Sequence, residues 1–141
     1  MGPVNLTDLS DQALLLVDSA PVIYALERHP KLAARFIPVF EAHAEGKLRL
    51  AVTTVAVCEI LTGPAKLNDE AAIRRYRATF ESWQVVDLNQ RIAESAARLR
   101  ASLGLRTADA IQAASALAIN AAALVTYDRD FSRLRSLRVI S

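Results

Sequence analysis

The run Leu14-Leu15-Leu16-Val17, four apolar residues in succession closed by Asp18, constrains the fold more than any other feature. A strand with one wet face alternates polar and apolar residues, whereas an unbroken run marks a strand covered on both faces, as in a parallel sheet. Ser19 can cap a helix and Pro21 sits where a missing N–H costs nothing, so a helix is expected to follow over residues 22–28. Residues 31–45 have helical spacing, with Leu32, Phe36, Val39 and Phe40 on one side. Pro38 should kink or restart that helix and Gly46 should end it.

The same alternation continues along the chain. Residues 48–52 read as a second strand, and Thr53 or Thr54 caps a helix that carries Glu59 and stops near Gly63-Pro64. Asn68 is expected to cap a helix over 71–83, with Ile73, Tyr76, Phe80 and Trp83 at spacings of three and four. Residues 85–88 form a third strand. Asn89 then caps a helix whose stripe of Ile92, Ala96, Leu99 and Leu103 ends at Gly104. Thr107 caps the next, with Ile111, Ala114, Ser115, Leu117 and Ala118 inward; 122–126 and 138–140 are strands, separated by a helical turn at 131–134. Alternating β and α units imply an α/β fold with a parallel sheet and helices on both faces. Ligands in such sheets bind just beyond the carboxyl ends of the strands.

A length of 141 residues suits one domain, here 13–141 behind a short polar lead at 1–12. The 52% hydrophobic content with only 6% aromatics points to a core packed through Ala-rich helices. Cys58 is the lone cysteine, so no internal disulfide can form. Between Val57 and Glu59 it reads as a reduced, at least half-buried thiol, as expected of a cytoplasmic protein. His29 and His43 lack the surroundings of a catalytic partner for it. The lead does not resemble a signal peptide, and no apolar run reaches the roughly 18 residues of a membrane span. Residues 1–70 carry six basic and nine acidic side chains and residues 71–141 eleven and six, and fourteen of the seventeen basic residues are Arg. An Arg-rich half beside a cluster of carboxylates suits an enzyme acting on nucleic acid.

The acids fall at strand ends. Asp18 closes the first strand, Asp128 follows the fourth, Asp109 lies in the first turn of the Thr107 helix, and Glu59 is the one charge between Leu50 and Leu61. Each alone fits an ordinary helix start, where caps and the helix dipole favour acids. Carboxylates converging without a cationic side chain raise one another's pKa, and a hard divalent cation is the usual way to keep them ionised. Mg²⁺ or Mn²⁺ suits an all-oxygen donor set, and the scarcity of His and Cys argues against zinc. A phosphatase using Asp-x-Asp after the first strand is excluded by Ala20, and a phosphorylated receiver by the absence of any Lys after Lys66.

Four segments carry a resemblance to the PIN-domain family. They are Val17 to Tyr24 (VDSAPVIY), Thr54 to Leu61 (TVAVCEIL), Leu105 to Leu117 (LRTADAIQAASAL) and Leu124 to Phe131 (LVTYDRDF), which together span nearly all of 13–141. The resemblance implies a three-layer α/β/α fold with a five-stranded parallel sheet of order 3-2-1-4-5. Its acidic quartet falls on Asp18, Glu59, Asp109 and Asp128, with Ser19 and Thr126 as supporting hydroxyls and one or two Mg²⁺ or Mn²⁺ ions. Asp18 and Asp128 would hold the principal ion, Asp109 the same or a second one, and Glu59 would position or deprotonate the attacking water. Arg106, Arg129 and Arg133 are candidate phosphate contacts, and Asp130 is expected to cap the last helical turn. Tyr127 departs from the family, where many members have Asn.

The resemblance further implies cleavage of single-stranded RNA, leaving a 3′-hydroxyl and a 5′-phosphate. The short single-domain form looks like the VapC-type toxins, homodimers that cut tRNA, rRNA or mRNA, inhibit translation and are silenced by a small antitoxin. A groove lined by Val22, Leu26, Phe36 and Phe40 would suit an antitoxin helix. The alternative is a catalytically silent PIN module that serves as an RNA-binding or assembly scaffold.

Overall fold

The computed structural model describes residues 2–141. Its strands are β1 (Ala13–Val17), β2 (Leu48–Thr53), β3 (Gln84–Val86), β4 (Ala123–Val125) and β5 (Val139–Ile140). They form one parallel sheet in the order β3-β2-β1-β4-β5, as expected. Central β1 pairs Leu15 with Leu50 on one side and Leu16 with Leu124 on the other. Leu15, Leu16 and Val17 are completely buried, which is why this strand carries no polar residue.

The pleat sends alternate residues to opposite cores. Leu15 and Val17 pack with Leu50 and Val52 under α1 (Ser19–Leu26), α2 (Ala33–Ala44), α3 (Thr54–Lys66) and the residues that end α4 (Glu70–Thr79). Leu14 and Leu16 pack with Ala51 and Leu124 under α5 (Gln90–Leu103) and α6 (Thr107–Ala118). Burying each such Leu side chain contributes roughly 1.5–3 kcal/mol. From the segment ahead of β1, Val4 joins the first core and its N–H donates to the Arg35 carbonyl.

Several helix ends differ from expectation. Asp18, not Ser19, is the N-cap of α1, because its own Oδ1 accepts from the Ser19 N–H. Helix α2 runs on through Pro38 without restarting; Phe36 and Val39, both fully buried, hold it down on either side of the missing N–H. Helix α3 passes Gly63-Pro64 and stops at Lys66, with the Pro64 carbonyl accepting from the N–H groups of Leu67 and Asp69. Asn68 takes the left-handed conformation (φ +52) that breaks α3 away, and Asp69 caps α4 by accepting from Ala72. Thr107 does not cap α6; Arg106 holds that position and makes no capping bond. Thr53 and Asn89 cap as expected, and Gly104 ends α5 at φ +69. No helix among the described residues is long and apolar enough to cross a membrane.

Candidate active site

At the carboxyl edge of the sheet, β1 delivers Asp18, β4 delivers Thr126 and Asp128, α3 brings Glu59, and α6 brings Asp109 and Gln112. All but Thr126, which lies buried beneath Asp18, border one pocket of about 230 Å³, together with Ser19, Tyr24, Arg106 and Tyr127. Periodicity alone could not place the start of α6 at this edge. A hydrogen-bond chain does.

Asp18 is 8% exposed and is held by three donors. Its Oδ1 accepts from the Ser19 N–H and from Gln112 Nε2, both at 2.9 Å, and its Oδ2 accepts from the Thr126 hydroxyl at 2.9 Å. Each donor is itself oriented. The Thr126 hydroxyl accepts from the Asp128 N–H at 3.0 Å, so its proton is free to point at Asp18. The Thr53 hydroxyl likewise accepts from Ala56 as the α3 cap and donates to Gln112 Oε1 at 2.6 Å. That contact turns the Gln112 amide so that its NH₂ faces Asp18. All three contacts present donors to the Asp18 oxygens.

The outer half of the pocket is built differently. Asp128 caps the 3-10 turn Arg129–Arg133, its Oδ1 accepting from the Asp130 N–H at 2.8 Å, so the cap expected of Asp130 belongs to Asp128. Asp109, Asp128 and Asp130 each offer a carboxylate oxygen within 4.8 Å of the others. Burial first, then the Asp128 charge, pushes the Asp109 carboxyl up to about 6, with Arg106 pulling it down. Glu59 is also raised, by burial of its carboxyl group and then by the Asp18 charge; Ser19 and Arg106 oppose the rise.

A sequence model of the PIN domain matches residues 15–137. The chain belongs to the PIN-domain family. Among solved structures it is similar to VapBC2 from Rickettsia felis, bound to a DNA fragment from their promoter: 20% identity and TM-score 0.73 over 89% of this chain and 96% of that one. It is also similar to VapBC-1 from nontypeable Haemophilus influenzae, with 21% identity and TM-score 0.70 over 89% of this chain and 96% of that one. A third is VapC20 of Mycobacterium tuberculosis, a sarcin-ricin loop cleaving toxin, with 15% identity and TM-score 0.62 over 84% of this chain and 92% of that one. No curated protein sequence matches.

Within this PIN domain, Asp18, Glu59, Asp109 and Asp128 share the pocket with Ser19, and Thr126 supports Asp18 from beneath. Sequence reasoning missed Gln112 and Thr53. The available signal was that Gln112 is the longest polar side chain in the Ala-rich run Ala110 to Ala116, which is buried on every side of α6. A side chain with that much hydrogen-bonding capacity must find partners inside.

One expectation about charge is corrected. The acids do not converge without a cation: Arg106 donates from Nε to Asp109 at 3.2 Å and from Nη2 to Asp128 at 2.9 Å. Arg129 and Arg133, on the 3-10 turn, are exposed and do not line the pocket. Cys58 is exposed rather than half-buried, since Ala56 and Ile60 take the inward positions of α3.

Tyr127 packs edge-on against Tyr24 (5.9 Å) and Phe36 (6.3 Å). Phe36 is thereby drawn wholly into the core. The apolar groove beside it, about 320 Å³, is lined by Val22, Leu26, Ile37, Phe40 and Trp83 among others, so Ile37 takes the place expected of Phe36.

Proposed function

We propose that this PIN domain is a divalent-metal-dependent endoribonuclease acting as the toxin of a toxin–antitoxin pair. One observation carries the reading: four acids from four separate parts of the chain meet in one pocket, the innermost held by three oriented donors. A purely structural role gives no reason to bring so much negative charge together.

The residues fit a hard cation. The donors are carboxylate oxygens, and Asp109, Asp128 and Asp130 are near enough to share one ion, as Mg²⁺ or Mn²⁺ prefers. Asp128 and Asp109 would hold the metal, with Asp18 and Glu59 lining the same pocket. When bound, such an ion supplies Lewis-acid activation and neutralises charge building up on the phosphate oxygens.

The protein's own groups do the rest. Thr126 and Gln112 hold the Asp18 carboxyl group in place through their hydrogen bonds. Glu59, whose pKa is raised by burial, accepts the proton of the attacking water as its oxygen bonds to phosphorus. The phosphorus–O3′ bond breaks and the leaving 3′-oxygen takes a proton from solvent, giving a 3′-hydroxyl and a 5′-phosphate. The N-terminus of α6, which lacks a side-chain cap, adds positive potential beside the entering phosphate.

An antitoxin helix fits the apolar groove of α1, α2 and Trp83, and structural neighbours that are VapBC assemblies support that partner. The toxin reading also carries a homodimer, a cytoplasmic location and an RNA of the translation machinery as substrate. The test is cleavage of a panel of single-stranded RNAs by purified protein in Mg²⁺, in Mn²⁺ and in EDTA, beside Asp18→Asn. Metal-dependent fragments that vanish in the variant are expected. A variant that cuts at the wild-type rate removes Asp18 from the site, and no cleavage with any metal points to a silent scaffold.

A further inference from the structure

Arg106 stands in an unusual position. It sits immediately before α6 and its guanidinium spans two carboxylates that are remote in sequence, reaching Asp109 through Nε and Asp128 through Nη2. Those partners are mostly buried, with side chains 11% and 24% exposed, while Arg106 itself is 73% exposed. Packing therefore does not hold the arginine in place; the two contacts do. Asp109 and Asp128 are also two of the three residues whose oxygens lie close enough to bind one ion.

We infer that Arg106 is a displaceable counter-ion: in the metal-free protein it occupies Asp109 and Asp128, and an arriving divalent cation releases it to the pocket mouth, where it meets the substrate phosphate. The inference rests on the reading of this pocket as a divalent-metal site. A guanidinium and a divalent cation on the same pair of carboxylates repel one another, so one leaves as the other arrives. The exposed, flexible arm can leave without disturbing the core. Once free, its planar fork suits phosphate oxygens, and it is tethered at the pocket where they enter. Arg106 is thus a positioning residue with two successive partners.

The test uses the metal alone, without RNA. Mn²⁺ is titrated calorimetrically into wild type, Arg106→Ala and Arg106→Lys, and the Arg106 Nε–H resonance is followed as Mg²⁺ is added to wild type. Two solvent-exposed ion contacts are together worth roughly two- to thirtyfold, so Arg106→Ala is expected to bind Mn²⁺ on the order of tenfold more tightly. Arg106→Lys, which keeps the charge and loses the fork, should lie between. The Nε–H signal should move from a hydrogen-bonded to a free position as Mg²⁺ saturates.

An alanine variant that binds no tighter, a lysine variant identical to wild type, or an Nε–H signal unmoved at saturation overturns the swap while leaving the metal site intact. Failure of all three proteins to bind either metal overturns the metal reading, and the swap with it.

Discussion

Gln112→Met is the substitution that most sharply probes how Asp18 is held. The side chains are similar in volume, so the change removes hydrogen bonds while opening little space. Two bonds are lost: one to an ionised carboxylate, worth about 1.5–3 kcal/mol, and one from a neutral hydroxyl, worth about 0.5–1.5 kcal/mol. Thr53, 1% exposed, is left with a proton and no acceptor, while Asp18 keeps its contacts from Ser19 and Thr126. The expected destabilisation is about 3 kcal/mol. Urea unfolding in EDTA, followed by the fluorescence of Trp83, measures it without any contribution from bound metal. Trp83 is the single tryptophan and is stacked on Phe40 in the core, so it reports loss of packing directly. Adding Thr53→Val should recover about 1 kcal/mol, because the orphaned hydroxyl is removed as well. A Gln112→Met protein within about 0.5 kcal/mol of wild type would refute the argument that this chain of bonds joins α6 to β1 and β2.

Two further predictions concern charge and the groove. With its carboxyl raised to about 6, Asp109 binds its proton more tightly in the folded than in the unfolded chain, so its contribution to stability is greatest in acid and falls as pH rises from about 4 to 6. The loss is at most about 3 kcal/mol, and thermal melts in EDTA should show that fall in wild type and a shallower one in Asp109→Asn. Ile37 lines the groove and is 38% exposed, so Ile37→Asp should leave the fold within about 1 kcal/mol of wild type yet abolish co-purification with a co-expressed antitoxin. Retained co-purification would move the antitoxin elsewhere.

The architecture was legible because burial on both faces leaves a distinctive mark: Leu14 to Val17 can only be a central strand, and the caps Thr53 and Asn89 stand where helices begin. The acids were legible because strand ends in such a sheet converge. What could not be read were choices between adjacent groups of similar chemistry. Asn68 and Asp69 both suit a helix start, and only the left-handed turn at Asn68 assigns the cap to Asp69. Asp18 and Ser19 posed the same ambiguity. Arg106 shows the other kind of failure: its pairing with Asp109 is local, but its second partner, Asp128, is brought near only by the fold. Gln112 was visible as an interruption in an apolar helix, but its partners lie elsewhere in the chain, Asp18 just after β1 and Thr53 at the end of β2.

The central claim is that these carboxylates carry a metal-assisted hydrolysis of RNA, and the chemistry of the cut ends tests it most directly. An RNA substrate cut by the purified protein in Mn²⁺ would be mapped for terminal groups, with EDTA and Asp18→Asn as controls. Ends bearing a 5′-phosphate and a 3′-hydroxyl are expected, and both should disappear in the two controls. Ends bearing a 2′,3′-cyclic phosphate, or cleavage that persists in EDTA, would contradict the claim.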